Sequence, residues 1–196
     1  SPVRPITRCG VTKFGTGTLG VVGVGPRSFS VSGTAVLSVQ KTVNPDVFNT
    51  PYLNLEATGT IQGIGPISVV LNNLVPSTGT IASRNFPALH HTDLNASIRS
   101  PSLSTEELVS DVPVQLEATI DSTSPTARYN MVNATPVGFH TRSNPTVVVT
   151  LDAFQVDTAP LPPPVPTLTW WGGLVLVLLM LGTGFVLFRR RLGTEA

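Results

Sequence analysis

An antiparallel β-sandwich followed by one C-terminal transmembrane helix is the fold the sequence predicts, and three observations predict it. Apolar and polar residues alternate with period two over several stretches. Gly (17) and Pro (18) interrupt the chain often, while only 12% of its residues are charged. Near the C-terminus, Leu168 to Phe188 carries no charge at all. The expected organisation is an extracytoplasmic β-domain over 1–158, a proline-rich stalk over 159–167, a transmembrane helix over 168–188 and a basic cytoplasmic tail over 189–196. A stretch of about 158 residues is enough for one domain with a real core and too short for two.

Taken in order, the first expected strand is Leu19–Val24. Phe29, Val31, Gly33, Ala35, Leu37 and Val39 then face one way, with Ser28, Ser30, Ser32, Thr34 and Ser38 facing the other. Leu53, Leu55, Ala57, Gly59 and Ile61 alternate with Asn54, Glu56, Thr58, Thr60 and Gln62, and Val114, Leu116, Ala118 and Ile120 alternate with Gln115, Glu117, Thr119 and Asp121. Both read as half-buried antiparallel strands. Shorter candidates lie at 67–72, 128–132 and 136–140, and 146–156 is more continuously apolar and leads into the stalk. Seven or eight such strands joined by Gly, Pro and Asn turns make a sandwich with Phe29, Val31, Leu37, Leu53, Leu55, Leu116 and Ile120 in its core. VGVGPRSFSVSG and IQGIGPISVVLN each place Gly-x-Gly-Pro between two strands, where Gly supplies positive φ or close approach and Pro fixes the turn. The helical hint outside the span is Ser104–Val109, a capping box with Ser104 as N-cap and Glu107 at N3, bracketed by Pro101 and Pro113.

Chemistry-bearing patterns are few. GTGTLG at Gly15–Gly20 matches G-x-G-x-x-G, but no strand pattern precedes it and no helix pattern follows, so a dinucleotide site is not expected. His90, His91 and Asp93 form one cluster of potential ligands, with His140 the other histidine. Adjacent strand residues point to opposite faces, so the pair converges only in a turn, and NFPALHHTDLN is expected to be a polar surface loop without metal or catalysis. No G-x-S-x-G elbow accompanies the serines. The sequons at Asn95 and Asn133 are expected by chance in a chain rich in Asn, Ser and Thr. No catalytic residue, cofactor or metal site is read here, and the expectation is that the protein is no enzyme.

Arg4, Arg8, Lys13, Arg27 and Lys41 precede the first acid, Asp46. These cations are too spread out for a nucleic-acid patch, and basic and acidic strands packed in one domain offset one another. With the single Cys9 no internal disulfide forms, so the fold stands on its core. The chain opens Ser1-Pro2 without an apolar leader, and a domain placed outside needs export, so a removed signal peptide is expected.

At about 1.5 Å per residue, Leu168–Phe188 extends roughly 31 Å, the thickness of a bilayer core. Trp170 and Trp171 suit one interface, and Arg189, Arg190 and Arg191 follow directly at the other, which puts the C-terminus in the cytoplasm. Along the span Gly173, Val177, Met180 and Gly184 fall on one helical stripe whose glycines permit close approach of another helix. The span holds no histidine, so it offers no imidazole to a haem.

Val165, Pro166, Thr167 and Leu168, then Trp171-Gly172, the apolar span and the terminal arginines together resemble the IPTL-CTERM sorting segments related to PEP-CTERM signals. The resemblance covers 165–191 only and implies a sorting or anchoring signal on secreted and surface proteins of Gram-negative bacteria. It implies a place at the bacterial inner membrane, with the β-domain periplasmic. The expected role is an accessory or structural subunit bracing a larger membrane complex through its span and β-domain. The alternative is an envelope or surface-displayed adhesion protein. The expected partners are the bilayer and other transmembrane subunits, with no nucleic acid and no small-molecule substrate.

Overall fold

The alternation in the sequence becomes thirteen β-strands, all antiparallel to their neighbours, in a computed structural model that describes residues 5–161 apart from Pro45, Asn73 and Pro125. The two longest are β1 (Pro5–Val21) and β2 (Gly25–Lys41). Five broken stretches follow: β3 (Phe48–Asn49) with β4 (Tyr52–Ile61), β5 (Gly65–Leu71) with β6 (Thr78–Ile81), and β7 (Ala88–Leu94) with β8 (Ala96–Arg99). The last two are β9 (Leu108–Val109) with β10 (Val114–Ile120), and β11 (Arg128–Met131) with β12 (Val137–Thr141). The final strand is β13 (Val147–Pro160).

Each stretch pairs with the one before it, and β13 returns to pair with β1 from Val11↔Pro160 to Val21↔Val149. The result is one sheet closed on itself, a barrel in its pairing, where the sequence led us to expect two separate sheets. Alternation shows which face of a strand is buried and says nothing about its partners. Closure removes the free edges that a sandwich must protect. Ala159 and Pro160, placed in the stalk by sequence, are the last residues of β13.

Both Gly-x-Gly-Pro segments are hairpin turns, with positive φ at Gly23 (79°), Gly25 (90°), Gly63 (72°) and Gly65 (142°). The inward face carries the core: Phe29, Val31, Leu37, Leu55, Leu116 and Ile120 are buried as expected, together with Phe139, Val149 and Leu151. Leu53 is a correction, because it is 49% exposed. The β2–β4 register slips there, with Val36 opposite Asn54 but Leu37 opposite Tyr52, so the bulge turns Leu53 outward and Tyr52 inward. Leu55→Ala is expected to cost about 2–5 kcal/mol, against well under 1 kcal/mol for Leu53→Ala, in paired urea titrations. Equal losses would place the bulge elsewhere.

No helix occurs among the described residues. The Ser104 capping box is instead a turn, in which Ser104 Oγ accepts from the Glu106 amide at 3.0 Å. Its Glu107 faces Arg99 and Arg142, each at 3.1 Å, and the segment is too short to repay helix nucleation. GTGTLG lies inside β1, as extended strand and not a phosphate-binding turn. Cys9 also lies in β1, opposite Leu37.

The stalk from Pro162 on, Val165–Leu168, the span with Trp170, Trp171, Gly173, Val177, Met180 and Gly184, and Arg189–Arg191 lie outside the described residues.

Candidate functional site inside the barrel

The sequence led us to expect NFPALHHTDLN to be a surface loop, and the structure corrects this. Residues 88–94 form β7, with His90 paired to Ala118 and His91 to Glu117 of β10. Strand geometry then sends the two histidines to opposite faces. His91 is on the outside, with Nδ1 3.0 Å from Glu117 Oε1 and Nε2 3.3 Å from Asp93 Oδ1. His90 is fully enclosed in the barrel.

Inside, His90 Nε2 is 2.8 Å from Thr50 Oγ1, and Nδ1 is 2.6 Å from the Tyr129 hydroxyl. Both ring nitrogens therefore have partners in a place no water reaches from outside. Burial holds the imidazole down at a pKa of about 4, with the electrostatic influence of Lys13 and then His91 acting in the same direction, so it is neutral near pH 7. A neutral imidazole has one donor and one acceptor, and the two hydroxyls can match either tautomer. Burial also raises the Tyr129 phenol, with the nearby Tyr52 hydroxyl adding to the effect, so Tyr129 keeps its proton.

Lys13 belongs to the same interior. It stands in the inward phase of β1, between buried Val11 and buried Gly15. Its neighbours across β2, Gly33 and Ala35, are small. The lysine passes over them to Tyr52, with Nζ 3.1 Å from the phenol oxygen and 4.5 Å from the ring centroid. The bulge that turned Leu53 outward is what brings Tyr52 here.

Toward the hairpin-turn end, the interior holds an apolar cavity. Leu19, Val69, Ile98, Phe139 and Leu151 wall a cavity of about 30 Å³, bounded also by Phe29 and Phe154. That is room for a water or two on size alone, but with no polar wall a water has nothing to bond, so the cavity is dry. Phe29 and Phe154 stack at 5.6 Å with 19° between their planes. They fit because β1 has no side chain beneath them: a Cβ at Gly15 would meet the Phe154 ring, and one at Gly17 the Phe29 ring.

With the fold and this interior in view, comparison with known proteins is informative at one point. No family model matches the chain, and no curated protein matches it. A solved structure does. DynF from the dynemicin biosynthesis pathway of Micromonospora chersina superposes with a TM-score of 0.72 at 18% identity, over 84% of this chain and 87% of that one. At that identity the likeness shows a shared fold. It corrects one expectation all the same: the reading that the protein is no enzyme rested on finding no catalytic pattern in the sequence, and it is withdrawn because the fold is one used in a biosynthetic pathway.

The residues assembled here, Lys13, Thr50, Tyr52, His90 and Tyr129, were not singled out as a site by sequence, His90 excepted, and His90 was placed outside. The alternation of Ala88, His90, Thr92 and Leu94 with Leu89, His91 and Asp93 carried the signal for β7. Among the described residues no group of three or more His, Cys, Asp or Glu is placed to hold a metal ion. The sequon asparagines have structural work. Asn133 accepts from the Gln115 amide at 2.7 Å and donates to the Pro113 carbonyl at 3.0 Å, bridging the break between β11 and β12 to β10. Asn95 donates to the Pro76 carbonyl at 2.9 Å.

Proposed function

We propose that the protein takes a small, largely apolar molecule into its barrel and orients the polar end of that molecule on Lys13, Tyr52, His90 and Tyr129. One observation carries the reading: a closed barrel, which could have been filled with Leu and Val throughout, holds an apolar cavity and, elsewhere in its interior, four titratable side chains, of which His90 and Tyr129 are buried and Lys13 and Tyr52 half-buried. Eight-stave barrels are wide enough to be filled by side chains or to hold one small ligand, and small-molecule sites are mostly apolar with a few convergent polar groups. Entry requires the Phe29–Phe154 pair to part, and Gly15 and Gly17 leave these rings little to hold them on the β1 side.

The anchor read from Leu168–Phe188 gives this barrel a place. We propose that it is tethered at the periplasmic face of the inner membrane, where an apolar ligand is drawn from or returned to the bilayer. On this reading the interior is the working part, and the sorting-like segment is the tether.

The test is binding of the neutral fluorophore N-phenyl-1-naphthylamine to the full-length chain in lipid nanodiscs, with the signal of empty discs subtracted. Phe154→Ala removes one of the two rings, and its affinity is expected to exceed that of the unsubstituted protein by roughly fivefold or more, as expected when apolar volume is opened to a ligand. No saturable binding by either form, with both folded by circular dichroism, would end the proposal.

A further inference from the structure

We infer that the ligand this interior takes carries one anionic group, seated on the ammonium of Lys13. The inference rests on the ligand-binding reading above and names the chemical class of the ligand. Two observations carry it.

The first is the sign of the inner wall. Lys13 on β1 and Arg27 on β2 both stand in the inward phase of their strands, and no inward position of the described strands carries Asp or Glu. The acids nearest in register point outward, Glu56 exposed on β4, and Asp93 and Glu117 engaged with His91. The second is the set of partners at Lys13. No carboxylate lies within salt-bridge distance among the described residues, and its neighbours are the Tyr52 hydroxyl and ring. A neutral phenol and a π face stabilise a cation without neutralising it. A cation taken partly out of water without a counter-charge is costly, and such a charge is paired in most proteins. Here the protein supplies no inward anion, so the pairing charge comes with the ligand.

The geometry sets the arrangement. Lys13 lies one inward position from Gly15, against which Phe154 packs, so the lysine leaves β1 next to the stacked rings and carries its ammonium on to Tyr52. An anionic head on Lys13 leaves the attached apolar body to follow the glycine track of β1 past Gly15 and Gly17 toward Leu19. Tyr52, already bonded to the amine, is placed to donate to the same head.

The experiment compares two fluorophores of similar body and different charge, anionic 1-anilinonaphthalene-8-sulfonate and neutral N-phenyl-1-naphthylamine, on the full-length chain in nanodiscs with empty-disc signal subtracted. Lys13→Met is expected to weaken the sulfonate by about tenfold or more, the range for a lost charge-assisted contact, and to change the neutral probe by less than about twofold. Lys41→Met, at the far end of β2, is expected to change neither. Cooperative melting at unchanged temperature keeps the comparison to folded protein. If Lys13→Met affects both probes equally, or neither, the inference is overturned while the ligand-binding reading stands. If neither probe binds the unsubstituted protein, that reading has failed and the inference with it.

Discussion

Gly59→Val is expected to abolish the cooperative unfolding transition of the β-domain. A Cβ at Gly59 would fall on the carbonyl oxygen of Ser30, against the Cα of Val31 on β2, and one at Gly33 would fall on the carbonyl oxygen of Glu56 on β4. In both cases the obstacle is backbone, held by the ladder that pairs Val31 with Gly59 and Gly33 with Ala57, so no side chain can turn aside to relieve it. The two glycines are where β2 and β4 come close enough to curve the sheet toward closure. Forcing the strands apart there breaks the ladder on both sides, a loss of at least about 4–5 kcal/mol and comparable with the whole stability of a small domain. Thermal melts followed by far-ultraviolet circular dichroism read it directly. The neighbour Thr58 is exposed, and Thr58→Ala is expected to melt within a few degrees of the unsubstituted protein. A Gly59→Val protein with a normal melt would mean that β2 and β4 do not pack as described.

Acid is expected to weaken the fold through His90. In the unfolded chain its imidazole takes a proton near pH 6.5, whereas inside the barrel it does so only at about 4. Between those values the unfolded chain binds more protons, so stability is unaffected above about pH 6.5 and falls as the pH drops toward 4. At about 1.4 kcal/mol per pH unit of displacement the loss is of the order of 3 kcal/mol. Urea midpoints across pH 4–7 would show it, and His90→Leu is expected to flatten that slope. Tyr129→Phe, which leaves Nδ1 of His90 enclosed without its partner, is expected to cost about 1–3 kcal/mol at neutral pH. An unchanged slope in His90→Leu would mean that another group carries the acid response.

Much of the fold is local, and that part was legible. Period-two alternation marked β2, β4 and β10, and the Gly-x-Gly-Pro segments marked two hairpins, because burial of one face and positive φ are demands that single positions must meet. β1 was not legible in its first part: Pro5–Thr18 carries Gly and Thr where a strand pattern would show branched apolar residues. The reason is now visible, since its inward glycines make room for Phe154 of β13 and Phe29 of β2. The histidine segment was misread because its turn-like flanks outweighed an alternation of only four inward positions.

By itself, the sequence determined that the chain is β-rich and antiparallel, where two of its hairpins turn, and, Leu53 apart, which face of β2, β4 and β10 is buried. These follow from each residue's own preferences and nearest neighbours. Only the tertiary structure decided that β13 closes the sheet onto β1, and that a one-residue slip between β2 and β4 carries Tyr52 inward to Lys13. It alone brought together His90 of β7, Tyr129 of β11 and Thr50 from the link between β3 and β4. Register and closure depend on contacts between residues up to about 150 positions apart in the chain, as between Val11 and Pro160, and a pattern read along one strand holds no record of its partner.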